Sequence, residues 1–153
     1  MRFPVFSLVV AALAMAACGD SSNNLPTSPS GSTSTPTTLT ERFDQIIVLR
    51  GSNFFPFSVG TNGGNVAINF ASLSPLIRPG LLVVTMRLGY GTVVTDGDGN
   101  AVGCDLRKTV DTTPALTAQL TDTLTVGTNY CASIADIGNL REPANFSVRI
   151  THP

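Results

Sequence analysis

The chain runs to 153 residues with a formal net charge of −1, and only 12% of its residues are charged. So thin and even a charge, without a basic cluster, gives no electrostatic footing for nucleic acid or for an anionic membrane surface. A single histidine and no tryptophan narrow the available chemistry further.

At the N-terminus, Met1-Arg2 sets one basic side chain ahead of Phe3–Ala17, a stretch without charge whose one polar side chain is Ser7. Such a run suits the apolar region of a signal peptide and falls short of the ~20 residues a membrane-spanning helix needs. It closes on Leu13-Ala-Met-Ala-Ala-Cys18-Gly19, small residues that stop at a cysteine. This resembles the lipobox of bacterial lipoproteins, with Met15 standing where that family favours leucine. The resemblance implies that residues 1–17 are a signal peptide and that Cys18 becomes the first mature residue, with a diacylglycerol on its sulfur. Two or more acyl chains hold a protein at a bilayer almost permanently, whereas one binds reversibly. Gly19 stands where an aspartate would resemble an inner-membrane retention signal, so the implied address is the outer membrane.

Residues 18–40 continue as a Ser-, Thr- and Pro-rich stretch with Asp20 as its one charge. With almost nothing to bury, it reads as a disordered tether. As a flexible coil it spans roughly 25–28 Å. The same composition also suits an O-glycosylated stalk.

Residues 41–153 make one domain's length of chain. Their apolar pattern has a period of two. Phe55 and Phe57 flank Pro56, which predicts an edge or bulged strand. Val66, Ile68 and Phe70 alternate with Ala67 and Asn69, and Leu82, Val84, Met86 and Leu88 with Val83, Thr85 and Arg87. Leu116, Ala118 and Leu120 alternate next, and Phe146, Val148 and Ile150 close the chain. Turn signals separate these runs at Thr61–Gly64, Arg78–Gly80, Asp96–Asn100, Val126–Thr128 and Asp136–Asn139. No capped amphipathic helix is predicted. Seven or eight short strands at this spacing predict an all-β fold, a single antiparallel β-sandwich.

The order of these signals resembles the bacterial pre-peptidase C-terminal domain from about Phe43 to Thr151. Ser52–Val59 is similar to its early aromatic strand, and Gly64–Phe70 to its Gly-x-Val-x-Val-x-Leu strand. Val126-Gly-Thr-Asn-Tyr130 is similar to its Ala-Gly-Thr-Tyr-Tyr hairpin, and Phe146–Thr151 to its closing strand. The departure is central: Gly80–Leu88 lacks both aspartates of the family's Asp-Leu-Asp-Leu-Tyr-Leu. The resemblance implies a jelly-roll-like sandwich.

Export places Cys104 and Cys131 where disulfides form, and pairing them closes a loop of about 27 residues, worth roughly 3.5 kcal/mol. That leaves Cys18 as the odd thiol, and lipidation accounts for it. Catalysis lacks its parts. His152 is the penultimate residue, where fraying would deprive a general base of a fixed position. Loop aspartates such as Asp96, Asp98, Asp105 and Asp111 are turn formers by default. Asp96, Asp98 and Asn100 begin a calcium-loop pattern, but Ala101 and Arg107 stand where an EF-hand needs Gly and Glu. They read as a hairpin turn, with Ca²⁺ as the lesser alternative. Sugar-stacking platforms are scarce, Tyr90 and Tyr130 being the two tyrosines, and Tyr130 is expected in the core. Phe54, out of phase with Phe55 and Phe57, is expected to point outward, either as a contact patch or under a loop.

The expectation is therefore an exported, lipid-anchored, non-catalytic accessory or interaction module of the cell envelope. Its partners would be the membrane, through Cys18, and a protein or envelope polymer. The alternative is a glycan- or peptide-binding module, with or without Ca²⁺.

Overall fold

The computed structural model describes residues 37–78 and 80–153. Residues 1–17, Cys18 and the tether as far as residue 36 lie outside the described residues, and so do the expectations that rest on them. The described chain folds into strands β1 (Leu39–Ile47), β2 (Ser52–Ser58), β3 (Gly64–Pro75), β4 (Met86–Thr95), β5 (Ala101–Thr112), β6 (Leu120–Leu124), β7 (Asn129–Ala135) and β8 (Ala144–His152). Their order is β1-β8-β3-β6 in one sheet and β2-β7-β4-β5 in the other, with every pair antiparallel. This is the eight-strand double sheet of a jelly roll. The expected sandwich is what forms.

The period-two pattern explains the core. Val66, Ile68 and Phe70 of β3 and Phe146, Val148 and Ile150 of β8 meet Phe55 and Phe57 of β2 and Met86, Leu88 and Tyr90 of β4. A bulge between Phe70 and Ser72 re-phases β3, so that Leu73 turns inward while Ser72 and Ser74 face out. Phe43 stacks on Phe55 with ring centroids 4.6 Å apart, and Phe55 meets Phe146 at 5.9 Å. Pro56 sits on β2, an edge strand, so its missing N–H interrupts no ladder on the open side. Tyr130 is buried, its hydroxyl bonded to Thr125.

Four expectations need correction. The Leu116–Leu120 alternation is not a strand: β6 begins at Leu120, and Leu116 is 98% exposed. Residues 113–119 instead arch between sheets, held to β3 through Ala115 N–H to Phe70 O and both ends of the Gln119 amide on the Phe70 backbone. The strand expected from Leu82 begins only at Met86, because Leu81–Thr85 is the crossing between sheets and Leu82 N–H bonds Leu73 O. Leu39 and Thr40 belong to β1 rather than to the tether, because they pair with His152 and Thr151. That pairing also overturns the frayed terminus: His152 is 3% exposed, its ring facing Phe57.

The expected disulfide joins Cys104 and Cys131, with Cα atoms 5.8 Å apart. The two residues lie on β5 and β7, either side of β4, where flat strands would be about 9–10 Å apart. A bulge opposite Tyr90 and Gly91 lets β5 fold across β4. Gly91 makes the crossing possible, because a Cβ there would stand 1.7 Å from Asp105 O.

The connections sort by end. The β1–β2, β3–β4 and β7–β8 segments gather where Ile47, Pro75 and Ala144 meet, whereas the β5–β6 arch lies beside Asn69 and Phe70 in the middle of β3. The other three gather at the opposite end, where Leu39 pairs with His152.

Gly91→Ala is expected to lower stability by about 3 kcal/mol, since backbone must move to admit the methyl. Gly97→Ala, with open space at its Cβ, should change little. Urea midpoints of the oxidised proteins test this, and equal midpoints for the two variants would refute it.

Candidate functional site

The outward face of the first sheet is polar, as alternation requires of a strand with one buried side. Arg42, Asp44 and Ile46 of β1 lie opposite Arg149, Ser147 and Asn145 of β8. Ser147 and Asn145 in turn lie opposite Ser72 and Ser74 of β3. Between them is a hollow of about 670 Å³, lined by the polar side chains of Arg42, Asp44, Gln45, Ser72, Ser74 and Asn145 and by apolar Ile46 and Phe146. A second hollow of about 550 Å³ continues the face among Asn65, Thr121, Thr123 and Thr151.

Arg42 Nε holds the Asp44 carboxylate at 2.8 Å. Slight burial works the other way, but the Ser147 hydroxyl and the Arg42 and Arg149 charges draw the Asp44 carboxyl below its usual range. The exposed pair adds little stability. What it does is set a fixed donor beside a fixed acceptor. Ser147 Oγ is buried beneath them without a partner in good hydrogen-bond geometry. Buried hydroxyls in that condition are uncommon. Amides and hydroxyls around the rim offer donors and acceptors in alternation, which suits a ligand rich in hydroxyl groups.

The residues singled out from the sequence sit elsewhere. Asp96 and Asn100 close the β4–β5 hairpin, where Asp96 Oδ1 accepts from Asp98 N–H at 3.0 Å and Asn100 N–H at 2.8 Å. Those bonds, with the Asn100 amide on the other oxygen, depress the Asp96 carboxyl and close the turn. Among the described residues no three His, Cys, Asp or Glu side chains converge on a metal-sized point. Asp111 pairs with Arg87 at 2.7 Å. His152 presents Nε2 to Glu41 at 2.9 Å and Nδ1 to Pro153 O at 3.1 Å, so neither ring nitrogen is unoccupied. Phe54 is half-buried on the outer face of the second sheet. Tyr90 reaches across to the first sheet and donates to Asp122; burial and that carboxylate push its phenol up to about 12.

The hollow's residues escape sequence reading because they lie on three strands far apart in the chain. Outward phase was their one signal.

Asp136, read as a turn former, does more than turn the chain. It is 6% exposed, and its Oδ1 accepts from the N–H groups of Gly138, Asn139 and Leu140. Its Oδ2 accepts from Arg50 N–H at 2.8 Å. Burial would raise this carboxyl, but four backbone donors overcome that and hold it below the ordinary range.

No family model matches the chain, and no curated protein matches it. Among solved structures, the Yersinia pseudotuberculosis-derived mitogen superposes with a TM-score of 0.45 at 18% identity, covering 78% of this chain and 88% of that one.

Asp136→Ala strips the acceptor from four N–H groups and is expected to cost about 3 kcal/mol or more. A depressed native pKa stabilises fully above the unfolded value near 3.9, and that contribution disappears as pH falls through the native value. Denaturant midpoints measured from neutral pH into acid should therefore fall less steeply in Asp136→Ala. Parallel profiles would count against this role.

Proposed function

We propose that the chain is an exported, lipid-anchored, non-catalytic binding module of the cell envelope, whose first-sheet face takes a segment of a hydroxyl-rich polymer, a glycan. The observation that carries this is the hollow between β1, β8 and β3, where Arg42, Asp44, Gln45, Ser72, Ser74 and Asn145 set polar groups around apolar Ile46 and Phe146. Sugar hydroxyls each donate and accept, matching such a rim without stacking aromatics. The second hollow extends the polar face beyond a single ring, as a polymer would use. The perturbed carboxylates favour binding over catalysis: each is taken up by a turn, an ion pair or a tyrosine. The Cys104–Cys131 bridge suits an oxidising compartment. Anchoring rests on the resemblance of Leu13–Cys18 to a lipobox.

Calorimetry with envelope polysaccharide fragments tests the site. Asp44→Asn should weaken binding about tenfold, the equivalent of one charge-assisted hydrogen bond near 1.4 kcal/mol, with unchanged thermal stability. A variant as tight as wild type, or no binding by wild type, would remove the glycan reading. Independently, Cys18→Ser should abolish metabolic fatty-acid labelling. Persistent labelling would retire the anchor.

A further inference from the structure

The end of the sandwich remote from Leu39 and His152 is apolar. Val48 of the β1–β2 turn, Ile77, Leu81 and Val83 of the β3–β4 crossing and Ile137 of the β7–β8 loop all point into solvent. Exposure reaches 73% at Ile77 and 89% at Leu81. These tips are braced, not floppy. Asp136 binds Arg50 N–H and its own N–H binds Gly51 O, which ties the first turn to the last loop. Asn139 Nδ2 reaches Thr85 O at 2.8 Å and Leu76 N–H reaches Pro143 O at 3.1 Å, which brings in the β3–β4 crossing. Isolated exposed aliphatics are ordinary, but their concentration at one braced end of a domain marks a contact surface.

Charge says what kind of surface. Arg50, Arg78 and Arg141 are scattered in sequence, so no basic cluster was legible, yet the fold delivers all three to these loops. Each is exposed, and among the described residues none forms an ion pair. Of the two acids in the same loops, Asp136 is buried and consumed by backbone donors, leaving Glu142. An aliphatic tip with an arginine margin complements a hydrocarbon interior under an anionic surface. A protein partner fits less well, because binding hot spots favour Trp, Tyr and Arg and under-represent Leu and Val.

We propose that this loop end docks onto anionic phospholipid bilayers, inserting its aliphatic tips among the acyl chains while its arginines meet the headgroup phosphates. The proposal is independent of Cys18 and of the polar hollow.

The chain contains no tryptophan, so Leu81→Trp in the full-length protein gives a single reporter at the tips. Its emission should shift to the blue on vesicles of phosphatidylglycerol and phosphatidylcholine, and acyl-brominated lipid should quench it. Val126→Trp, at the opposite end, should show neither effect, and adding Arg78→Glu to Leu81→Trp should diminish the shift. Val48→Trp repeats the reading from another loop. Both local readouts hold whether or not Cys18 pulls the protein to vesicles. The proposal is overturned if the tip reporters stay unshifted while the protein sediments with lipid. It is overturned too if pure phosphatidylcholine shifts them equally, or if they shift with protein concentration alone, which would assign the end to a second copy of the chain.

Discussion

The carboxylate of Asp136 is the interaction on which one whole end of this sandwich depends. A jelly roll passes its chain between sheets repeatedly, and each crossing leaves backbone N–H groups outside the ladders. At the β1–β2 and β7–β8 crossings those groups are turned toward one buried anion, which accepts four of them. Arg50 is held at φ 55°, a left-handed conformation that costs a non-glycine residue energy. Its N–H on Asp136 is what offsets that cost. Removing the charge would release both crossings together.

At the other flank the constraint is steric rather than electrostatic. The disulfide spans β4, and it can do so because Gly91 leaves room for the Asp105 carbonyl. The same fold-over twists β5 away from flat pairing and carries Asp105, Arg107 and Lys108 along its free edge, both common defences against edge-to-edge aggregation. Gly89 contributes by leaving space for the side chains of Leu106 and Thr109.

How much of this could be read in advance follows from burial. Strands with one face in the core announced themselves: β3, β8 and the inward phase of β4 were legible in Val66–Phe70, Phe146–Ile150 and Met86–Leu88. Both β1 and β5 were not, because β1 buries Ile47 alone and β5 buries nothing fully. An edge strand owes its form to its neighbour's hydrogen bonds, which leave no apolar rhythm. Leu116 and Leu82 misled for the converse reason: alternation persisted in extended crossings that pair with nothing on one side. Chain position predicts fraying at His152, whereas its register against Leu39 buries it. The surface features were the least legible. The polar hollow takes residues from β1, β3 and β8, and the arginine margin takes Arg50, Arg78 and Arg141 from three loops, so neither exists until the topology does.

Those two surfaces are neighbours. Ile46, Ser74 and Asn145, at one side of the hollow, each stand one residue from Ile47, Pro75 and Ala144, where the apolar loops begin. A ligand filling the hollow would therefore lie close beside whatever the loops meet. The first described strand, β1, begins at the opposite end, where Leu39 pairs with His152. The loops also share Asp136 and Asn139 as braces, so a ligand that stiffens the Asn145 end of β8 would stiffen the tips as well.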